Sequence, residues 1–224
     1  MFEFSQRLET GLKTQGIEVS PEAVERLSVY FRELKKWGRK VNLIAKSTSD
    51  EQIVENHFLD SLTILPLLDG TTAHLLDIGT GAGFPALVCK AARPELTVTL
   101  VEPRLKRVSF LGHIVRTLGL GEVKILSCRV EEEEQLPAAG KFTHITARAV
   151  TEVGSFLQMV ERFSPVRPQL ICMKGPKWQD ELAAASEILA QSSYALNRVV
   201  ECELPFSKAQ RNILIFDVHE LNRK

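Results

Sequence analysis

Apolar positions recur with a helical period over the first 70 residues and with strand character after them. Val24, Leu27, Phe31 and Leu34 stand three and four residues apart, which lines them up on one face of a helix. Ser20-Pro21 places a capping hydroxyl before a proline, whose missing N–H costs nothing in a first turn. Ser49 to Gln52 has the spacing of a capping box, and Val54, Phe58, Ser61, Leu62 and Leu65 continue a second amphipathic helix. No linker, repeat or low-complexity run separates this part from the rest. Residues 1–70 therefore predict a helical extension packed on a main domain at 71–224.

From His74 onward, apolar runs alternate with helical stretches. Leu75 to Ile78, Thr97 to Glu102, Val123 to Leu126, Thr143 to Ala147, Gln169 to Lys174, Val199 to Glu203 and Asn212 to Val218 read as strands. Leu105–Leu118, Gly154–Phe163 and Lys177–Gln191 read as helices between them. This alternation predicts an α/β fold: a mostly parallel, Rossmann-like, seven-stranded sheet covered on both faces. The last two strands lack a clear crossover helix, so an antiparallel edge pair is expected there. Ligands of such folds sit at the carboxyl ends of the strands.

Composition changes this picture little. Hydrophobic residues make up 44% and charged residues 25%, as in a soluble globular chain. No apolar run approaches the roughly 20 residues needed to span a bilayer. The start, Met1 to Arg7, lacks a basic leader followed by an apolar stretch, so no secretory signal is expected. Cys89, Cys128, Cys172 and Cys202 show no CxxC and no metal-ligand spacing, which points to reduced thiols, a cytoplasmic address and no bound metal. The 28 basic and 28 acidic residues cancel, which does not advertise a nucleic-acid binder. The charge is nevertheless segregated. Arg32, Lys35, Lys36, Arg39, Lys40 and Lys46 face only Glu33 in their stretch, and Glu131 to Glu134 is an acidic run.

The strongest local signal is Leu75-Leu76-Asp77-Ile78-Gly79-Thr80-Gly81-Ala82-Gly83-Phe84-Pro85, a strand turning through glycines into a helix. A lone glycine loop is shared with dinucleotide enzymes. Here Phe84 stands where their fingerprint wants a third glycine, and the lysine of a Walker loop is absent. Asp77, two residues before Gly79, suits the cationic amine and sulfonium end of S-adenosylmethionine better than a pyrophosphate. Glu102 ends the second strand, where an acid accepts hydrogen bonds from ribose hydroxyls, although a solvated strand-end charge is the alternative. S-adenosylmethionine is thus favoured over a nicotinamide dinucleotide.

With these residues in view, the chain resembles the bacterial small-subunit rRNA guanine-N7 methyltransferase G family, also called glucose-inhibited division protein B. The resemblance rests on Trp37…Asn42-Leu43, on His57-Phe58-Leu59-Asp60-Ser61-Leu62 and on the glycine loop with its Phe84-Pro85 ending. Further pieces are Lys106-Arg107…Phe110-Leu111, Arg129-Val130-Glu131, Thr146-Ala147-Arg148-Ala149 and Met173-Lys174-Gly175. Gly38 stands where an asparagine is common, and Ala86 where a glycine is. The resemblance implies a class I methyltransferase fold and methyl transfer to guanine 527, near the decoding region of 16S rRNA. It places cofactor against Gly79, Phe84, Val130, Glu131 and Arg148, with Asp77, Gly81 and Glu102 near the methionine and ribose ends. The partner it implies is 16S rRNA or the small ribosomal subunit; separately from the resemblance, no membrane partner and a monomer are expected.

Guanine N7 carries a lone pair in the neutral base, so no general base is required and none is assigned. Lys35, Lys36, Arg39, Lys40 and Asn42 are candidates to grip RNA, although the same stretch fits an ordinary solvated helix face. His57, one helical step from Asp60, either faces the site or fixes the extension internally. Lys174 is a candidate phosphate contact or a salt-bridge partner. Two other functions stay open from sequence: a ribosome-assembly factor binding cofactor and RNA without turnover, and a methyltransferase for a small molecule or protein.

Overall fold

The computed structural model describes residues 2–68, 73–132, 134, 136, 141–148 and 152–219. Its N-terminal elements are α1 (Phe4–Gln15), α2 (Pro21–Gly38), α3 (Asp50–Ile53), a π-helical turn at Val54–Leu59 and α4 (Asp60–Leu62). Then follow β1 (His74–Ile78), α5 (Ala86–Ala92), β2 (Thr97–Val101), α6 (Leu105–Thr117), β3 (Val123–Leu126) and β4 (His144–Arg148). The chain continues through α7 (Val153–Val160), β5 (Gln169–Lys174), α8 (Trp178–Ala184), α9 (Ser186–Gln191), β6 (Tyr194–Glu203) and β7 (Gln210–Val218).

Capping fits the sequence reading. Ser20 Oγ accepts from the Ala23 N–H at 3.2 Å. Ser49 and Gln52 satisfy each other's backbone N–H groups reciprocally. Three helical expectations are modified. The second N-terminal helix, expected to continue through Leu65, widens into a π-helical turn at Val54–Leu59 and ends at Leu62. The helix expected over Lys177–Gln191 is broken at Ala185, which is buried beside Gly154. The one expected over Gly154–Phe163 runs from Val153 to Val160 and tightens into a 3-10 turn through Val166. Pro165 disfavours α geometry in the residue before it, so the tighter turn takes over there.

The seven strands are ordered β3-β2-β1-β4-β5-β7-β6. β1 to β5 pair in parallel with one another, and β7 runs antiparallel between β5 and β6. The long β6–β7 ladder replaces the crossover helix that the sequence lacked. Period two sorts the strand residues between two faces. Leu75, Val98, Leu100, Ile171 and Ile213 join a core with α1, α2, α5 and α6. Leu76, Ile78, Leu170, Cys172 and Leu214 join a core with α7 on the other face. Residues of the N-terminal helices and of the sheet share one apolar cluster, in which Tyr30, Phe58, Phe84 and Phe110 meet. The boundary expected at 70 and 71 lies outside the described residues.

Chain order reverses between β1 and β4. Their following loops diverge and leave a crevice at the carboxyl ends of the strands. Among the described residues, no helix is long and apolar enough to cross a membrane, and no group of three or more His, Cys, Asp or Glu is placed to hold a metal ion. Cys89, Cys128, Cys172 and Cys202 are free thiols.

Candidate active site

The glycine loop occupies that crevice. Gly79, Gly81 and Gly83 have φ of 68°, 63° and 93°, conformations that L side chains rarely adopt. Glu102, only 2% exposed, ties the loop to β2. Its Oε2 accepts from the Gly81 N–H at 3.0 Å, its Oε1 from the Arg104 N–H at 2.9 Å, and the Arg107 guanidinium stands 3.5 Å away. The Arg107 Nη2 donates at 3.4 Å to the carbonyl of Asn42, which couples the loop region to the N-terminal extension.

Below the loop Asp77 is fully buried. Its Oδ2 accepts from the Thr80 hydroxyl at 2.7 Å and from the Ala86 N–H at 3.1 Å, so it braces the loop against the start of α5. Burial pushes its carboxyl up to about 7, against the lowering effect of these two hydrogen bonds. Oδ1 of Asp77 has no hydrogen-bond partner among the described residues. The Tyr30 hydroxyl donates to the Ala82 carbonyl at 2.5 Å and stands where a Cβ on Gly83 would project. Gly83→Ala is accordingly expected to lose about 2–4 kcal/mol, from backbone strain plus overpacking. Gly16→Ala, with φ of 67° but open space, loses only about 1 kcal/mol. Urea midpoints of the two variants check this contrast.

A cleft of about 430 Å³ opens over the loop, lined by Gly79, Thr80, Gly81, Phe84, Glu102 and Arg148 among others. Leu43 and Ile44 from the extension, with Ala82, give it apolar walls. Glu102 supplies an acid, so the donor set fits a nucleoside: apolar surface for a base and a carboxylate for ribose hydroxyls. The unsatisfied, buried Oδ1 of Asp77 adds a second acceptor just beneath the loop.

Of the residues expected from sequence, the cleft brings together Gly79, Gly81, Phe84, Glu102 and Arg148, and it adds His57. Asp77 does not line it: the residue is fully buried, with Oδ2 holding Thr80 and Ala86 and Oδ1 without a partner among the described residues. Val130 is buried, with its carbonyl accepting from Arg162 at 2.6 Å, and Glu131 is exposed in the turn after β3; neither is part of the described lining. Glu133 of the acidic run and Ala149 of the Thr146 to Ala149 segment lie outside the described residues. Leu43, Ile44 and Arg107 were missed as cleft residues. The Leu43-Ile44 pair inside a basic stretch is the signal that marks them.

The π-helical turn at Val54–Leu59 sets the other wall. Its wider turn brings the Asn56 carbonyl, His57 and Asp60 together on Arg148 at the end of β4. Arg148 donates from Nη1 to the Asn56 carbonyl at 2.9 Å and to Asp60 Oδ2 at 3.2 Å, and from Nη2 to His57 Nδ1 at 3.0 Å. Arg211 from β7 holds the other oxygen of Asp60 at 2.9 Å. Phe84 lies under both groups: the His57 ring stacks on it at 4.9 Å, and the Arg148 guanidinium sits 5.1 Å from its centre. Burial, then the Arg148 charge, holds His57 down at about 4.

The basic stretch divides. Lys35 is paired with Asp50 at 2.5 Å, and Lys36 lies 3.5 Å from Glu33. Arg39 and Lys40 are exposed and make no ion pair among the described residues, and Asn42 is exposed. Lys174 is ion-paired with Glu181 at 2.7 Å.

A sheet of this order, with a nucleoside cleft over the loop after β1, defines a class I S-adenosylmethionine-dependent methyltransferase fold. Solved structures agree on the fold. A SAM-dependent methyltransferase from Aquifex aeolicus superposes with a TM-score of 0.53 at 22% identity, covering 77% of this chain and 96% of that one. A putative O-methyltransferase from Klebsiella pneumoniae gives a TM-score of 0.57 at 12% identity, covering 91% and 92%. The chain belongs to the family described as GidB, rRNA small subunit methyltransferase G, whose model matches residues 23–214. The Ribosomal RNA small subunit methyltransferase G of Desulfotalea psychrophila is 55% identical over 214 residues, covering 96% of this chain and 98% of that protein. The protein of the same name from Syntrophus aciditrophicus is 39% identical, covering 88% and 83%.

Proposed function

We propose that this enzyme transfers a methyl group from S-adenosylmethionine to N7 of a guanine in 16S rRNA of the small ribosomal subunit, at the position its family modifies. The cleft that joins Gly79, Gly81 and Glu102 to His57 and Arg148 carries this reading, because it sets a nucleoside-binding loop beside a polar wall from the extension.

When bound, S-adenosylmethionine supplies an electrophilic methyl, whose C–S bond breaks with its electron pair left on sulfur as N7 bonds to carbon. Glu102 offers its remaining lone pairs to the ribose hydroxyls, while the Gly81 and Arg104 N–H groups hold the carboxylate still. Leu43, Ile44 and Ala82 exclude water from the base, and the glycines let backbone approach closely. No group in the cleft has to accept a proton, since the attacking lone pair is free in neutral guanine. The chain's contribution is orientation, a factor worth up to about 10 kcal/mol in favourable systems. Labelled methyl should appear in 16S rRNA and make one guanine susceptible to N7-specific strand scission; no transfer to any ribosomal substrate rejects the reading.

RNA grip is assigned chiefly to Arg39 and Lys40. Lys35 and Lys36 already neutralise acids of the chain, so their charge contributes less to phosphate. Replacing Arg39 and Lys40 together by alanine is expected to weaken RNA binding and to lower the salt slope by about 1.4, at roughly 0.7 per phosphate contact on single strands. Lys35→Ala should change that slope by less than half as much. Filter binding across a salt series reads both. An unchanged slope in the double variant removes this segment from the RNA interface and favours a small-molecule or protein substrate.

A further inference from the structure

A second cleft adjoins the first. It encloses about 630 Å³ between the π-helical turn and the carboxyl ends of β4 and β5, and its walls include Asp60, Glu152, Lys174 and Arg211. His57 and Arg148 line both clefts, so these two side chains form the partition between them.

The partition has a defined hydrogen-bond polarity. A guanidinium offers only donors, so Nδ1 of His57, 3.0 Å from Arg148 Nη2, is an acceptor. An imidazole accepting at Nδ1 carries its proton on Nε2. Burial and the neighbouring positive charge hold the ring pKa at about 4, so it is neutral near pH 7. Arg148 is held on its other side by Asp60 and the Asn56 carbonyl, and Phe84 backs the imidazole. Among the described residues nothing bonds Nε2, which leaves one oriented N–H at the partition.

We propose that the second cleft is the guanine pocket, and that the Nε2–H of His57 donates to O6 of the target base and so aims N7 at the glycine-loop cleft. This deepens the rRNA methyltransferase reading and rests on it. O6 and N7 are adjacent acceptors on one edge of guanine, so a donor on O6 fixes the in-plane rotation of the base. Adenine presents an amino group at that place, a donor against a donor, and is rejected. The Glu152 carboxylate in the same cleft offers an acceptor for the guanine 2-amino group, which 2-aminopurine retains. In the transfer, the N7 lone pair forms the N–C bond, the C–S pair stays on sulfur, and the positive charge passes to the base. No proton moves. A neutral donor suits that step, because an imidazolium would repel the cation being formed.

Two measurements test this. Ring ¹⁵N NMR of the full chain is expected to show His57 as the neutral Nε2–H tautomer between about pH 6 and 8; an Nδ1–H tautomer or a charged ring overturns the proposal. The second is a cycle with RNA carrying either guanine or 2-aminopurine, which keeps N7 but lacks O6, at the target position. The wild-type enzyme is expected to act about 10- to 100-fold more slowly on the analogue. His57→Phe, which keeps the stacking on Phe84, should lose a similar factor on guanine and treat the two RNAs within about threefold. Wild-type far-UV circular dichroism and a single cooperative urea transition in this variant report an intact fold. His57→Gln, whose amide restores an N–H, should regain part of the discrimination. Full discrimination retained in His57→Phe overturns the guanine pocket alone. Absence of any wild-type transfer to 16S rRNA overturns the functional reading and this inference with it.

Discussion

Arg148→Met is expected to cut methyl transfer by at least about 100-fold and to cost roughly 3 kcal/mol of stability, the lower end for breaking a buried ion pair. Arg148 makes three contacts at once: with Asp60, with the Asn56 carbonyl and with His57. Methionine fills much of its volume over Phe84 but leaves the Asn56 carbonyl and His57 Nδ1 without this donor and takes one of two cations from Asp60. Asp60 keeps Arg211, which is why the loss stays near the lower end. The rate suffers more than the fold, because His57 loses the hydrogen bond that fixes its tautomer and direction. Arg148→Lys separates the two effects. A lysine reaches Asp60 as a point charge but lacks the fork that serves three acceptors, so stability should largely return while the rate does not. Urea denaturation and single-turnover kinetics on 16S rRNA measure the pair; an Arg148→Met rate within about threefold of wild type would falsify the orienting role.

Glu102→Ala is expected to weaken S-adenosylmethionine binding by about 100-fold or more, measured by calorimetry. The carboxylate is at once a ligand for the ribose and the acceptor that holds the loop. Its removal leaves the Gly81 and Arg104 N–H groups without this partner and takes the nearby acid from Arg107. A hydrogen bond to a charged group is worth about 1.5–3 kcal/mol, so losing even one towards the ligand accounts for 10- to 100-fold. Loosening of the loop adds to it. Glu102→Gln keeps one acceptor oxygen but offers an amide to the second N–H, a donor facing a donor. It should fall between wild type and alanine in affinity. Equal affinity in all three proteins would remove Glu102 from the cofactor site.

The two predictions draw on different layers of the protein. Glu102 was legible because its neighbourhood is local: one strand, one glycine loop and one acid at the end of the next strand, all within 28 residues from Leu75 to Glu102. The Arg148 cluster was not. Arg148 and His57 are 91 residues apart, and Arg211 stands 151 residues from Asp60. The sequence set His57 one helical step from Asp60, marked Arg148 through the family resemblance, and left the contact of Arg148 with the other two open. Arg211 carried no signal, standing one residue before the strand read at Asn212 to Val218, which the structure extends back to Gln210.

Asp77 shows a different kind of gap. Residue type and spacing put a carboxylate beneath the loop, but they do not say which way its oxygens point. Tertiary packing turned one towards Thr80 and Ala86 and left the other buried without a partner. The basic stretch behaves similarly. Six cations were countable, yet only the fold shows that Lys35 and Lys36 meet Asp50 and Glu33 whereas Arg39 and Lys40 face outward.

Periodicity and turn chemistry, which act over a few residues, were sufficient to specify the elements, the parallel sheet with its antiparallel end and the nucleoside loop. The π-helical turn, the split helix after β5, the partition at His57 and the division of charges depend on contacts between segments far apart in the chain. Local backbone preferences cannot encode those contacts. They arise when the two faces of the sheet are buried and each remaining polar group must find a partner in whatever space that burial leaves.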